Sequence, residues 1–408
     1  MNLRTNLKLM AGRLIGPALT LYRKIPPSLR FPSKIIDFFC WLKGLVRLNL
    51  WIITGIEPGS DRNLVIGYAG MEKNKNYLAD QLFHGAFTEQ HAGRIWFWNG
   101  SDVLKKRGYT CSLMVTELMR VFFRRLKGRK AVFVPDWVDG NVDISDENTL
   151  YRKHKSLESD LRRVRKFELD YEITKDPRLV EEFYYQMYQP YILRVHRDRA
   201  FLLTHDCYLE KMKKGELLLI KKGEERIAGT VLFYAKKVAY LWILGAKEGD
   251  TDYVKEGAFG ALFYYSIHHV KGKGFNEVNF GKTRAFLNNG IIQFKAKRGI
   301  RILESSRMGF SLEPLTELSH LSDFFIRNPF IFEDKTGLNG ALFFAEDHVF
   351  SEKDLDWLAK NYFLAGLSKL FLYQFGRVND AFQTMIPADY ADKMFIRSVD
   401  TLLHPHSG

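Results

Sequence analysis

The stretch GELLLIKKGEERIAGTVLFYAKKVAYLWILGA, Gly215–Ala246, decides the fold. It holds three apolar runs: Glu216–Lys221, Arg226–Ala235 and Val238–Ala246. Between them lie only Lys222-Gly223-Glu224 and Lys236-Lys237. Turns this short join antiparallel neighbours, so the stretch predicts a three-stranded meander.

Reading upstream, Leu157, Leu161 and Val164 share one face of a basic helix, and Phe167–Thr174 is a strand candidate. Asp176 caps a helix that starts at Pro177 and runs to about Tyr188. Thr204 caps another through Met212. Downstream, the glycine-punctuated segment Gly249–Gly260 leads into a helix with an apolar stripe of Phe259, Leu262, Phe263, Ile267 and Val270. Val278–Gly281 then reads as a strand, and Asn288–Arg298 as a helix stopped by Gly299.

The flanks alternate in α/β fashion. Before the block come a strand at Leu64–Ala69, a helix at Tyr77–Phe83 and a strand at Arg94–Trp98. A helix over Cys111–Leu126 follows, on three- and four-residue spacing, and then a strand at Ala131–Trp137 ended by Asp139-Gly140. After the block, strand Ala341–Ala345, a helix capped by Ser351 and strand Leu370–Phe375 have the order of a parallel crossover. Residues 60–150 supply few strands for a stable sheet. The expectation is therefore that 60–150 are completed by 311–408, that 151–310 form a separate domain, and that 1–59 stand apart.

Composition narrows the function. The 408 residues carry 61 Lys and Arg against 47 Asp and Glu, a net charge of +14. The excess is concentrated in residues 1–60, in Arg120–Lys130 and in Arg152–Lys166, which points to a polyanionic partner: a membrane surface, RNA or a phosphorylated ligand. Cys40, Cys111 and Cys207 are isolated, so no zinc site, other metal site or disulfide framework is expected, and a reducing, cytoplasmic setting fits. The most apolar segment, Ile35–Ile56, contains Asp37, Lys43 and Arg47, which are costly in a bilayer core. It reads as an amphipathic helix lying on an anionic membrane, with Phe38, Phe39, Trp41, Leu42, Leu45, Leu48 and Trp51 immersed. This predicts a peripheral place on the inner face of the cytoplasmic membrane.

The element order over 151–310 resembles the GNAT acyltransferase superfamily, and in detail its FemAB/CelD-like branch. Three stretches carry the resemblance. They are FYYQMYQPY (Phe183–Tyr191) with Arg194 and His196; GELLLI (Gly215–Ile220) followed by IAGT (Ile227–Thr230); and Gly274-Phe275 through Phe280-Gly281, then Gly290, Phe294-Lys295 and Arg298-Gly299. Asn279 stands where the family often has aspartate, and Arg194-Val195-His196-Arg197 where it often has Arg-His-Gly. The resemblance implies an α/β fold of two GNAT-like domains, with mixed sheets flanked by helices. It also implies transfer of an acyl or aminoacyl group to an amine, with no tightly bound cofactor. The donor it implies is acyl-CoA, acyl carrier protein or aminoacyl-tRNA.

Candidate site residues follow. Gly257, Ala258 and Gly260 open an apolar helix, where main-chain N–H groups and the helix dipole suit a donor phosphate. His196 and Asp198 are candidate general bases for the amine, beside Arg194 and Arg197 for an anionic acceptor. Tyr191 and Arg284 complete the substrate-binding set, and Lys295 is a third catalytic candidate. The helix bearing Lys295 has no tyrosine to protonate a departing thiolate, which argues against plain acetyl-CoA as donor; Tyr264 or Tyr265 is the alternative source of that proton. His268 and His269 read as surface residues. A non-catalytic membrane-associated protein with a degenerate GNAT fold is the alternative, and an RNA-binding module using the basic runs is a third reading.

Overall fold

The computed structural model describes residues 46–403 apart from 59–61, 127–128, 147–149, 151–154, 197–201, 236 and 305–306. Contacts divide the chain into two units, Met1–Phe133 with Arg307–Phe324, and Val134–Ser306 with Phe325–Gly408.

The first unit begins with β1 (Arg47–Ile56) and β2 (Asn63–Gly70), followed by helix α1 (Glu72–Phe83) and β3 (Phe87–Trp96). Helix α2 (Gly100–Lys106), β4 (Leu113–Met119), helix α3 (Arg120–Arg125) and β5 (Val132–Pro135) complete it. The sheet runs β3-β1-β2-β4, then the returning strand Met308–Pro314, then β5, at which the chain leaves the unit. Two expectations are corrected here. Leu113–Met119 is a strand, parallel to β2, and Leu113, Met114, Val115 and Leu118 are all buried. A strand buried on both faces shows no alternation, and spacing alone cannot separate it from a helix. Likewise, residues 47–56 are no membrane helix: β1 pairs with β2 on one side and β3 on the other, and Leu48 and Trp51 are in the core. The remainder of the predicted amphipathic segment, 35–45, lies outside the described residues. Among the described residues no helix is long and apolar enough to cross a membrane.

The second unit opens with β6 (Val138–Asp143), helix α4 (Lys155–Lys166) and β7 (Leu169–Thr174). Asp139 and Gly140, expected to end a strand, lie inside β6. Helix α5 (Pro177–Glu182) carries the expected cap, Asp176 accepting from the Arg178 N–H at 2.9 Å. It widens into a π-helical turn, Phe183–Tyr188, and continues as α6 (Gln189–His196). Helix α7 (His205–Met212) is capped by Thr204. Then comes the predicted meander, β8 (Gly215–Lys222), β9 (Glu225–Ala235) and β10 (Val238–Ala246), antiparallel throughout. Helices α8 (Thr251–Glu256) and α9 (Ala258–Gly272), strand β11 (Glu277–Asn279), helix α10 (Gly290–Ala296) and strand β12 (Arg301–Glu304) close the block. The seven strands lie in the order β12-β6-β11-β10-β9-β8-β7.

A four-stranded sheet follows in the same unit: β13 (Phe330–Asp334), β14 (Gly337–Phe344), β15 (Lys369–Gln374) and β16 (Met394–Ser398). Helix α11 (Glu352–Tyr362) links β14 to the parallel β15, as its order predicts, and Ser351 and Asp354 form a capping box at its start. The grouping of this tail differs from the expectation that 311–408 complete the first unit. Only Arg307–Phe324 groups there, whereas Phe325–Gly408 groups with the second unit. The reason is local: the Leu287 and Ile331 N–H groups donate to Pro329 and Ala285, and the Ile302 N–H donates to Ala365.

Because β1 lies between two strands, removal of residues 1–56 is expected to unfold the first sheet. Circular dichroism and thermal melting of that truncation test this; a native spectrum with a full-amplitude cooperative melt would contradict it.

Candidate functional site

Strands β10 and β11 are parallel neighbours over three pairs only, Val238–Glu277, Ala239–Val278 and Tyr240–Asn279. Beyond them the strands diverge. β10 runs on to Ala246, bulged between Leu241 and Leu244, and remains paired with β9. The chain after β11 turns toward β6 instead, where the Phe280 N–H donates to Gly140 and the Thr283 N–H to Val138. The result is a wedge between two parallel strands; on that side, among the described residues, the main chain of β10 past Leu241 has no strand partner. The bulge is held from the other side by Thr230, whose buried hydroxyl donates to the Ile243 carbonyl at 2.8 Å. An antiparallel meander, a parallel partner and this divergence define the arrangement. The second unit has a mixed sheet flanked by helices, as the GNAT resemblance implies.

Gly281 lies where the strands part. Its φ is 74°, and a Cβ there would stand 3.4 Å from the Leu241 carbonyl. Lys295 on α10 reaches the same point. Its ammonium donates to the Gly281 carbonyl (3.0 Å), the Lys282 carbonyl (3.2 Å) and the Thr283 hydroxyl (3.1 Å). An ammonium has three N–H bonds, so all of them go to the protein's own loop. Lys295 is only 7% exposed, and burial pulls its pKa down to about 8, partly opposed by the attraction of Asp139.

The entry to α9 borders the open end of the wedge in sequence, but its glycines have another duty. A Cβ on Gly257, at a φ of 109°, would stand 2.9 Å from the Arg163 Cβ, and one on Gly260 would stand 2.6 Å from Asp160 Oδ1. These glycines let α4 pack closely on α9, and their open faces meet side chains of α4. The side on which Gly257 and Gly260 lack a Cβ therefore faces α4, and the phosphate cradle of Gly257, Ala258 and Gly260 stays a proposal. Ala258 itself is fully buried. Asp160 in turn holds Arg298: the guanidinium Nε and a terminal nitrogen reach its two oxygens at 2.7 and 2.8 Å, and the group stacks on Phe294 at 3.5 Å. Burial pushes the Asp160 carboxyl up and the Arg298 guanidinium down, despite their attraction. The pair therefore fixes α10 against α4 more than it adds net stability.

The remaining candidates fall in different places. Tyr191 packs edge-on against Phe259 at the start of α9, ring centroids 5.0 Å apart, and burial raises its hydroxyl pKa. Arg194 is exposed on α6. Arg284 is buried over the Trp137 ring at 4.0 Å. Arg197, Asp198 and the side chain of His196 lie outside the described residues. Tyr265, a candidate proton donor, gives its hydroxyl to the Leu169 carbonyl at 2.6 Å, on the β7 edge of the sheet. Among the described residues no group of His, Cys, Asp and Glu has the makings of a metal site.

Two features escaped the sequence reading. The π-helical turn directs Tyr184 and Tyr188 to one residue: the Tyr184 hydroxyl donates to the Leu203 carbonyl (2.7 Å), and the Leu203 N–H donates to the Tyr188 oxygen (3.0 Å). The insertion of a wide turn where two tyrosines converge fits the usual placing of such turns near functional sites. Second, His269 is half-buried and paired, whereas His268 is exposed as expected. His269 meets Glu216 at 2.6 Å, together with Lys273 at 2.8 Å and the Tyr234 hydroxyl. Burial opposes the Glu216 charge, yet hydrogen bonds from His269, Lys273 and Tyr234 hold its pKa down to about 2. Nothing in the spacing of Glu216 and His269 marks them as partners; only the packing of α9 on β8 brings them together.

No family model matches the chain, and no curated protein does. Among solved structures the chain is similar to the C-terminal domain of a putative lysylphosphatidylglycerol synthetase from Agrobacterium fabrum. That likeness has 16% identity, a TM-score of 0.34, and covers 68% of this chain and 84% of that one. FemX is similar at 12% identity and a TM-score of 0.33, over 64% of this chain and 83% of its own. L-PGS from Bacillus licheniformis is similar at 14% identity and a TM-score of 0.32, over 71% and 94%.

The buried pair gives a stability test. Asp160→Asn is expected to cost roughly 3–5 kcal/mol by stranding Arg298. Asp160→Leu with Arg298→Met should recover most of that in urea melts; a single variant as stable as the parent would contradict the geometry.

Proposed function

We propose that the second unit transfers an acyl or aminoacyl group from an activated donor to an amine. The observation that carries this reading is the wedge between β10 and β11. A donor carbonyl laid along β10 past Leu241 meets, on the side away from β9, main-chain groups that no strand of the described residues takes. When the amine attacks, the carbonyl oxygen becomes an oxyanion, and N–H groups aimed at it lower the barrier. The amine loses a proton to a base as the new C–N bond forms, and the donor leaves as a thiol or a ribose hydroxyl as its own bond breaks. His196 and Asp198 remain the proposed bases, with Arg194 and Arg197 for an anionic acceptor.

Lys295 acts in this reading by holding the Gly281–Thr283 loop, since its hydrogens are already taken. Tyr265 is committed to Leu169, and α10 has no tyrosine, which favours a donor other than acetyl-CoA. Acyl-CoA with a long chain, acyl carrier protein and aminoacyl-tRNA are the proposed donor classes. Basic residues concentrated in 1–60 support a cytoplasmic protein working at an anionic membrane surface. The non-catalytic alternative draws on one observation, the occupation of the open faces of Gly257 and Gly260 by α4.

A donor panel with a mixture of amines tests the reading: acetyl-CoA, long-chain acyl-CoA, acyl carrier protein and charged tRNA. Turnover is expected with one of the last three, and Lys295→Ala is expected to lower it by about 100-fold with folding intact, the scale of a lost positioning contact. Acetyl-CoA far ahead of the others would contradict the donor assignment. No turnover with any donor would favour the non-catalytic alternative.

A further inference from the structure

β6 and β11 run side by side, with Asn141 opposite Asn279 and Asp143 opposite Glu277. Their side chains form a one-way series of hydrogen bonds. The Gly281 N–H donates to Asn279 Oδ1 (2.8 Å), Asn279 Nδ2 donates to Asn141 Oδ1 (2.6 Å), and Asn141 Nδ2 donates to Glu277 Oε1 (2.7 Å). The direction is set from one end. A backbone N–H can only donate, so the oxygen of Asn279 faces Gly281 and its amide nitrogen faces Asn141. Asn141 must then turn its own nitrogen to Glu277, whose carboxylate accepts and closes the series. Asn141 and Asn279 are 8% and 5% exposed, so a mismatched link has little water to turn to.

The series ends on the residue that marks the vertex of the wedge. Gly281 gives its N–H to Asn279 and its carbonyl to Lys295. An aspartate at position 279 would set a carboxylate oxygen against the Asn141 carbonyl. If Asn141 turned over to meet it, its carbonyl would face the Glu277 carboxylate. Asparagine at both positions is therefore what this arrangement requires.

We propose that Glu277, Asn141 and Asn279 are positioning residues that set the Gly281 turn, and through it the seat of Lys295 and the divergence of β11 from β10. The functional meaning of this relay rests on the wedge being the transfer site; its geometry does not. Asp139 on β6 is the carboxylate whose attraction acts on Lys295, and it is unchanged in the variants below.

The test uses the full chain with Asn279→Asp, Asn141→Asp, and Asn141→Asp combined with Glu277→Gln. In the double variant the carboxylate at 141 accepts from both sides, so both links are matched again. Two quantities are read: hydrogen exchange of the Gly281 amide by NMR on glycine-labelled protein, and the pH at which Lys295 is half-modified by acetic anhydride. Each single variant is expected to speed Gly281 exchange by about tenfold or more. The Lys295 midpoint should rise by about one pH unit or more as charge or water reaches it. The double variant should restore both. Folded single variants with parental values, or a double variant no better than Asn141→Asp, would overturn the proposal. If the aspartate variants do not fold, Asn279→Ala removes the Gly281 acceptor without adding charge, and unchanged exchange there overturns it equally. Neither readout needs a substrate, so failure of the transfer reading appears separately, as absent turnover in the parent.

Discussion

A parallel strand pair that stops after three residues leaves polar main chain to be accounted for, and much of the second unit follows from that constraint. Each strand of the pair must be held from its far side. β10 keeps its antiparallel ladder with β9, and Thr230 takes the carbonyl that its bulge releases. The continuation of β11 turns to β6, and the carbonyls of Gly281 and Lys282 go to a buried ammonium. The cost of burying that charge is visible in the pKa of Lys295, pulled down to about 8 by desolvation. Polar groups in a low-dielectric interior persist when each has a partner, and this loop meets that condition.

The sequence was most legible where short turns or side-chain caps fix local geometry. The meander over Gly215–Ala246 follows from turn length, and Asp176, Thr204 and Ser351 cap the helices they were expected to cap. Legibility failed where burial is two-sided. Leu113–Met119 and Arg47–Ile56 lie in the middle of a sheet, and their apolar residues match helical spacing as well as they match a buried strand. Short strands such as β6, β12 and β16 were missed because each is defined by a partner distant in the chain.

The candidate site shows the same division. The sequence brought attention to Lys295 and to the glycines at the start of α9, but not to their surroundings. Gly257 and Gly260 are small because Arg163 and Asp160 of another helix lie against them. Asn279 has as its neighbour Asn141, whose nitrogen donates to Glu277. Such facts are pairwise between positions far apart in the chain, as in the Asn279–Asn141 bond with its separation of 138 residues, and a single sequence does not encode them in any local pattern.

In the proposed reaction an acyl donor enters between β10 and β11. Hydrogen–deuterium exchange of the full chain, with and without a saturating non-transferable donor analogue such as an acyl-CoA thioether, measures this directly. Slower exchange is expected, confined to the amides of Leu241–Ala246 and to the Gly281–Thr283 loop. Protection elsewhere, with those two segments unchanged while the analogue is bound, would contradict it.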